Sequence, residues 1–449
     1  MPEYVPLRYR SPEEEAPADA ILFKNAKIFN GKGDAYIEAT EVLIEGNLIT
    51  KVGSGLEAPT DKKTAVVDCA GKTLMPGLID MHSHLCFQEG MLEGRDEYDQ
   101  MSMGAMCAAD CLDYLNQGFT TVRDAGGNVL GMAKAVRLGR IMGPRIYACG
   151  AFISQTGGHG DTGCCFDMPL QTDTLVQHGV THICDSVAEV RRACRNNFRN
   201  GATQIKYMAG GGCASAFDPI HVTEGSFEEM KAACDVAADY GSYVMIHAYH
   251  DRSIMRALDA GVKCVEHGFL MSEECMKRMV KEGIAICIQA VMSLEVFADP
   301  ELITFFSRDQ KNKAAMVNSG AANMMKLCRE YKPILISGGD MFGKGNQERQ
   351  SANIIAMVTL GGFDSATALR SATGDAAEVL SWCGGMNPYK DGKLGVIEEG
   401  AYADVILVDG DPLADIEALK RDKVRVVIKD GKCYKYKLED NALEVVYSN

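Results

Sequence analysis

Residues 76–84 read Pro-Gly-Leu-Ile-Asp-Met-His-Ser-His, a short apolar run that ends in two histidines one residue apart. The run is typical of a buried strand, and the Pro-Gly pair before it marks the turn from which the strand begins. Residues two apart in an extended segment point to the same face, so the imidazoles of His82 and His84 can reach one metal ion. The stretch predicts a strand that ends at a metal site.

The chain from residue 76 to residue 394 alternates short apolar runs with longer stretches of helical period, as repeated βα units do. The candidate strands are Leu78–Met81, Thr120–Arg123, Ile146–Ala151, Gln204–Tyr207, Tyr243–Ile246, Cys264–Glu266, Ala285–Ile288 and Ile334–Ser337. They predict an α/β fold, a (β/α)8 TIM barrel, whose chemistry lies at the carboxyl ends of the strands. The stretch Thr156–His182, rich in Gly, Cys, Asp and His, is the expected loop insertion.

Both ends of the chain contain short strands separated by turn residues. These strands are Ala20–Ile28, Ala39–Glu45, Leu48–Val52, Asp404–Val408 and Val424–Ile428. The first three read as a small antiparallel sheet. Together the two ends predict a β-sandwich built from residues 20–75 and 395–449, beside a barrel of residues 76–394. Residues 1–19, with Pro and Glu and little apolar periodicity, are expected to be an arm that is disordered or lies over a neighbour.

Side chains that bind metals stand at the ends of several predicted strands. Of the nine histidines, four follow strands that a barrel would bring together, namely His82, His84, His247 and His267. Asp340 follows the eighth strand after Gly338-Gly339. A single histidine is usually structural, but four at converging positions favour a metal site.

Lys206 is a charged residue inside the short apolar strand Gln204–Tyr207. An ammonium is costly to bury, so one interpretation is an ion-paired lysine whose head reaches water. The other is that burial lowers its pKa and the neutral amine captures carbon dioxide, giving a carbamate that bridges two metals. The second interpretation is the favoured one.

Residues 76–84 resemble the first-strand signature of the amidohydrolase superfamily, and the order Lys206, His247, His267, Asp340 resembles its binuclear, lysine-carbamate subtype. Residues 372–377 and 400–413 resemble the return of such chains to their β-sandwich. The resemblance implies two divalent metal ions, with Zn2+ the first expectation, and a carbamate on Lys206. The implied ligands are His82, His84, Lys206, His247, His267 and Asp340. Asp340 is also the implied catalytic residue, which passes a proton from the attacking water to the leaving amine.

Residues 157–161, Lys206-Tyr207 and residues 247–250 resemble one branch of the superfamily. This imidazolonepropionase-related branch holds Xaa-Pro dipeptidases, carboxypeptidases and amidases that act on ochratoxin. The resemblance implies a small substrate, an N-acyl amino acid or dipeptide with a free carboxylate, and substrate contacts from His159, Tyr207 and His250. Two structural alternatives stay open: His159 caps a turn of a glycine-rich loop, and His250 merely begins a helix.

Two other functions are weighed against this one. A mononuclear deaminase or cyclic-imide hydrolase, similar to imidazolonepropionase, uses the same barrel but needs no bridging carbamate, so Lys206 disfavours it. A barrel without metal that binds a ligand or serves as a scaffold is disfavoured by ligands at five strand ends.

Composition excludes several classes of partner. The 449 residues carry a net charge of -15, which repels phosphate backbones, so no nucleic-acid partner is expected. We find no apolar stretch long enough for a membrane span or a signal peptide, and we expect a cytoplasmic protein without a membrane partner. The family resemblance implies a homo-oligomer.

The 17 cysteines are odd in number and include no CxxC pair, which favours reduced and buried thiols over a disulfide framework. The adjacent Cys164 and Cys165 are the exception, because the sequence does not decide whether they have a redox or metal role.

Overall fold

The computed structural model describes residues 19–87, 99–163, 173–341, 343, 345, 349–438 and 443–446. Residues 1–18 of the expected arm, together with Cys164 and Cys165, lie outside the described residues. Every cysteine among the described residues is a free thiol, and all except Cys433 are buried, as the sequence predicted. No helix in this described part has the length and apolar character needed to cross a membrane.

Within the described residues, ten strands near the two ends of the chain form two five-stranded sheets. They are β1 (Ala20–Lys24), β2 (Lys27–Ile28), β3 (Glu41–Glu45), β4 (Leu48–Gly53), β5 (Thr64–Asp68), β6 (Thr73–Pro76), β17 (Val405–Val408), β18 (Val424–Lys429), β19 (Lys432–Tyr436) and β20 (Leu443–Val446). The strand orders are β20-β5-β1-β3-β4 and β19-β18-β17-β6-β2, so each sheet combines strands from both ends.

The expected antiparallel sheet is confirmed for β1, β3 and β4, which pair antiparallel. Two further strands join in parallel, β5 beside β1 and β6 beside β2. The expected single strand Ala20–Ile28 is interrupted at Asn25, whose φ of 56° lies in the left-handed region that extended backbone does not use. One apolar cluster contains side chains from both sheets, including Phe23 and Val42 from one and Leu407 and Ile428 from the other.

The described residues in the middle of the chain include ten further strands, all paired in parallel. They are β7 (Leu78–Ser83), β8 (Phe119–Asp124), β9 (Arg145–Ala148), β10 (Phe152–Ser154), β11 (Thr181–Ile183), β12 (Ile205–Met208), β13 (Val244–His250), β14 (Cys264–Leu270), β15 (Ala285–Ile288) and β16 (Ile334–Ser337). All eight predicted strands are present, and the short β10 and β11 were not predicted.

These strands form a three-stranded sheet, β7-β8-β9, and a seven-stranded sheet, β11-β10-β12-β13-β14-β15-β16. The last strand, β16, packs beside the first, β7. The backbone N–H of Asp340 donates to the carbonyl of His82 at 2.8 Å, which joins the carboxyl ends of these two strands. Predicted site residues far apart in the sequence are thereby brought to one end of the parallel strands.

Helices connect the parallel strands. They are α1 (Gln100–Asn116), α2 (Leu130–Arg137), α3 (Thr174–Gln177), α4 (Val187–Arg199), α5 (Phe227–Asp239), α6 (Asp251–Ala260), α7 (Glu273–Glu282), α8 (Ala290–Leu294), α9 (Arg308–Tyr331), α10 (Ala352–Thr359), α11 (Ser365–Ser371) and α12 (Gly374–Ser381). Short 3-10 turns occur at Val296–Ala298, Pro300–Leu302, Gly384–Met386 and Ile416–Leu419.

Local sequence explains where several of these helices begin and end. A capping box opens α5, in which the Ser226 side chain accepts from the backbone N–H of Glu229 and the Glu229 side chain accepts from that of Ser226. Helix α6 ends at Gly261, whose φ of 106° is easily adopted only by glycine.

An arginine joins the parallel strands to the terminal sheets. The Arg145 guanidinium, at the start of β9, donates to both carboxylate oxygens of Asp404, at 2.8 and 3.2 Å. It also donates to Asp430 at 2.8 Å and stacks on the ring of Tyr402, 3.9 Å from the ring centre. Arg145 and Asp404 are buried, so each charge depends on the other for compensation.

Candidate metal centre and substrate pocket

One cavity of about 260 Å³ at the carboxyl ends of the parallel strands is lined by all six predicted metal ligands. His82 and His84 lie at the end of β7, Lys206 on β12, His247 on β13, His267 on β14 and Asp340 just after β16. Five of the six are buried, and Asp340 is partly exposed. The structure therefore brings together residues that are up to 258 positions apart, from His82 to Asp340.

His82, His84 and Asp340 form a compact group in this cavity, with ligand atoms within 4.8 Å of one another. The Nε2 atoms of His82 and His84 lie 3.6 Å and 3.4 Å from Oδ1 of Asp340. A second pair of imidazoles stands beside this group, because the ring centres of His247 and His267 are 4.6 Å apart and those of His82 and His267 are 5.0 Å apart.

Each of the four imidazoles has one ring nitrogen within hydrogen-bond distance of an oxygen that does not belong to a predicted metal ligand. The pairs are His82 Nδ1 with Glu266 Oε2 at 2.7 Å, His84 Nδ1 with the Gly126 carbonyl at 2.9 Å, His267 Nδ1 with Gln289 Oε1 at 2.8 Å, and His247 Nε2 with the Gly211 carbonyl at 3.2 Å. An imidazole that donates from one nitrogen keeps a lone pair on the other. This is the outer-shell arrangement of metal-binding histidines, so the donor set fits divalent metal ions.

Burial keeps three of these imidazoles neutral. It lowers the pKa of His82 to about 4, an effect that the nearby Lys206 adds to. Burial also lowers the pKa values of His247 and His267 well below the usual range. Metals bind the neutral ring, so these side chains are already in the protonation state that a ligand needs.

Asp340 is held as a carboxylate. Burial by itself favours the neutral acid, but the neighbouring His82, His84 and His267 hold the pKa of Asp340 well below its usual range. Its backbone has a φ of 51°, as that of His267 has a φ of 74°. Positive φ is uncommon for such residues, and both cases occur where a side chain turns into the cavity.

The close approach of the carboxyl ends of β7 and β16 sets the position of Asp340. A Cβ atom on Gly338 would lie 2.4 Å from the Cβ of His82, so only glycine lets β16 come this near β7. The buried Asp80 carboxylate accepts from the backbone N–H groups of His82 and Gly339, at 3.0 and 2.9 Å. The Asp80 side chain thus links the end of β7, which carries His82, to the segment after β16, which carries Asp340.

Lys206 is only 1% exposed, and its side-chain amine has no hydrogen-bond partner among the described residues. Burial lowers the pKa of its amine, although the charges of Glu266 and Asp340 act in the opposite direction. The interpretation of an ion-paired lysine that reaches water does not fit this burial. The surroundings favour the neutral amine, which is the form that reacts with carbon dioxide.

Glu266 and Arg123 belong to the site and were missed in the sequence. Arg123 donates to Glu266 Oε1 at 2.7 Å, both side chains are completely buried, and the other Glu266 oxygen meets His82. Two features of the sequence indicate them: an acidic residue directly before His267 in an apolar strand, and an arginine at the end of another.

Of the three predicted substrate contacts, only His159 lines the cavity. Its ring stacks on that of His247 with 3.9 Å between centres, and its Nδ1 lies 2.7 Å from the Ser215 hydroxyl. Its backbone N–H donates to the carboxyl group of the buried Glu224 at 2.9 Å.

The placement of Tyr207 at the site is corrected by the structure. Lys206 points into the cavity, so the next residue on β12 points to the opposite face, where the Tyr207 hydroxyl lies against Gly225. His250 is also outside the cavity, close to the Val222 carbonyl and the Ser253 hydroxyl. Tyr249 lines the cavity instead, because it is two residues after His247 on β13 and its ring lies 4.9 Å from that of His247.

Comparison with known proteins agrees with this site. The model of the amidohydrolase family matches residues 73–433. Ochratoxinase from Aspergillus niger is 30% identical over an alignment of 461 positions, which covers 96% of this chain and 89% of that protein. A prolidase structure complexed with N-methylphosphonate-L-proline is 31% identical with a TM-score of 0.83, over 93% of this chain and 100% of that one. A Xaa-Pro dipeptidase structure with bound methionine is 29% identical with a TM-score of 0.81, over the same shares.

Proposed function

The chain belongs to the amidohydrolase family of hydrolases that act on C–N bonds, and we propose that it cleaves the amide bond of a small N-acyl amino acid or dipeptide with a free carboxylate. One observation carries the proposal. Four imidazoles with their outer nitrogens bound to oxygen acceptors, one carboxylate and one unpaired buried lysine all line a single cavity. The ochratoxinase, prolidase and Xaa-Pro dipeptidase relatives support the choice of bond and substrate.

We propose that two divalent ions, zinc as the first choice, are held by these residues. His82, His84 and Asp340 would hold one, His247 and His267 would hold the other, and Lys206, converted to a carbamate, would supply oxygen ligands. Nitrogen and carboxylate donors in this number suit zinc. When bound, such ions supply an activated water at neutral pH and polarise the carbonyl of the amide.

The residues of the chain have separate tasks in this reaction. Asp340, ionised in the cavity, accepts the proton of the attacking water and delivers it to the amine nitrogen that leaves. His159 is oriented by Ser215 and Glu224, and it binds the substrate carboxylate or its carbonyl oxygen. Tyr249 offers a second donor, its hydroxyl group, at the same cavity.

Two measurements on the purified protein test the proposal. Elemental analysis of protein prepared without chelator should find close to two divalent ions per chain. A panel of N-acyl amino acids and dipeptides, each paired with its carboxamide and scored by ninhydrin, should show hydrolysis of the free acids at least about tenfold faster. An active preparation without transition metal would contradict the mechanism, and equal rates on acid and carboxamide would contradict the substrate class.

We also propose a division of the chain into two structural parts. Residues 76–394 form the (β/α)8 barrel that carries the site, and residues 20–75 with 395–449 form a β-sandwich. The mixing of strands from both ends in each terminal sheet, and the apolar cluster that the two sheets share, support this division.

A further inference from the structure

One side of the cavity is an apolar wall that the metal chemistry does not use. It comes from the segment between β15 and α9, which includes α8 and two 3-10 turns. The wall residues that face the cavity are Met292, Val296, Phe297, Leu302, Phe305 and Phe306. The wall and the six proposed metal ligands line the same cavity, so a substrate bound at those ligands can extend along the wall.

Two residues of the apolar wall are exposed in spite of their character. Leu302 is 76% exposed and Phe305 is 72% exposed, although both line the cavity. Phe305 packs edge to face on Phe306 at 5.1 Å between ring centres, and Phe306 lies 6.4 Å from Phe297. Covering such side chains with an apolar group removes their surface from water, which favours binding.

Charged groups to match a charged substrate side chain are scarce at the cavity. Within the described part of its lining, the only groups able to carry a charge are the six proposed ligands, His159, Tyr249 and Cys213. Burial raises the pKa of Cys213 to about 12, so its thiol is neutral. A second charged side chain on the substrate would lose its hydration without gaining a partner.

We infer that the amide substrate carries a large apolar group, with an aromatic ring preferred, that packs on Phe297, Phe305 and Phe306. The inference rests on the proposed amidase function and adds to it the class of side group. Phe305 is the specificity-determining residue of choice for a test, since it is exposed and its removal leaves the core intact.

The test compares N-acetyl-L-phenylalanine and N-benzoyl-L-alanine with N-acetyl-L-alanine, N-acetyl-L-arginine and N-acetyl-L-glutamate on the metal-loaded enzyme. We expect kcat/KM for at least one aromatic member to exceed that for N-acetyl-L-alanine by about tenfold or more, with the charged members below it. Phe305→Ser should remove most of this ratio by lowering kcat/KM for the aromatic compound. Phe227→Ser is the matched control, because Phe227 is another exposed phenylalanine that does not line the cavity.

A calorimetric titration with N-benzyl-L-phenylalanine and N-ethyl-L-alanine, amines that lack the amide bond, gives a readout that does not depend on turnover. Tighter binding of the aromatic compound, weakened by Phe305→Ser and not by Phe227→Ser, supports the inference. Hydrolysis without an aromatic preference, or a preference that Phe305→Ser leaves intact, would overturn it and leave the amidase function standing. Aromatic-selective binding without hydrolysis of any amide would overturn the proposed function instead.

Discussion

Oε2 of Glu266 lies 2.7 Å from Nδ1 of His82, on the side of the imidazole opposite Asp340, whose Oδ1 is 3.6 Å from Nε2. The carboxylate fixes the proton on Nδ1 and leaves the Nε2 lone pair directed into the cavity. Arg123 pairs with the second Glu266 oxygen and holds the pKa of Glu266 well below its usual range against the effect of burial. An ion pair in the interior thus sets the tautomer of a proposed metal ligand.

Replacing this carboxylate should weaken metal binding without removing a ligand. We expect Glu266→Gln to lower zinc affinity about 10–100-fold, the usual effect of losing an outer-shell partner. Competition with a chromophoric chelator measures the change at a temperature where the variant is folded, since Arg123 also loses its charge partner. His250→Gln is the control, because His250 lies outside the cavity. Unchanged affinity in Glu266→Gln would show that Glu266 has only a structural role.

Lys206 should lose its function when its amine cannot react. Arginine keeps the positive charge but is not deprotonated in proteins, so Lys206→Arg cannot form a carbamate. We expect Lys206→Arg and Lys206→Ala each to lose bound metal and activity together, as measured by elemental analysis and turnover. Propionate should partly restore both in Lys206→Ala by filling the vacated space. Near-normal turnover of Lys206→Arg would exclude the carbamate.

Two tyrosines near the site should respond in opposite ways. Tyr249 lines the cavity and Tyr207 faces away from it, so only the first hydroxyl can reach a substrate. Tyr249→Phe should lower kcat by about 100-fold, the lower range for a lost transition-state donor. Tyr207→Phe should leave kcat and metal content as in the unmodified protein. Equal losses in both variants would contradict this assignment.

Loss of Arg145 should destabilise the protein and leave the metal site intact. Arg145→Met strands the buried Asp404 carboxylate without its partner, which costs about 3–5 kcal/mol of the free energy of unfolding. Thermal denaturation should therefore occur at a lower temperature, while metal content at 25 °C stays the same. A loss of metal with unchanged thermal stability would be the opposite result. Arg145→Lys should recover only part of the stability, because lysine lacks the two-pronged contact.

The stability contributed by Glu224 should depend on pH. Burial, with the charge of Asp218 nearby, raises the pKa of Glu224 to about 9, while the N–H of His159 and the charge of Lys313 act in the opposite direction. An unfolded chain ionises this group near pH ~4.3. The stabilisation is therefore complete below that pH and is lost progressively as the pH rises towards 9.

Glu224→Gln has no proton to lose, so the comparison isolates this residue. The unfolding temperature of the variant, relative to the unmodified protein, should rise steadily between pH 5 and pH 9 in scanning calorimetry. A difference that stays constant over this range would contradict a protonated Glu224.

The sequence alone determined the features that depend on local pattern. Short apolar runs between helical stretches predicted eight of the parallel strands, and two of them, Ala285–Ile288 and Ile334–Ser337, match the structure residue for residue. The rule that such strands present chemistry at their carboxyl ends selected four histidines and Asp340, and the burial of a charged residue in an apolar strand selected Lys206; all six line the cavity. Strand periodicity and strand polarity are properties of neighbouring residues, so one chain is sufficient to read them.

The tertiary structure decided which side of each strand faces the cavity and which residues surround the proposed metal ligands. The sequence named Lys206 and Tyr207 together, but an alternating strand can direct only one of them inward, and packing of Tyr207 on the helix side made the choice. The contact of Glu266 with His82 joins residues 184 positions apart. The apolar wall comes from a segment whose helix and 3-10 turns are too short to show a period in the sequence. Such contacts are set by three-dimensional packing, for which sequence spacing carries no signal.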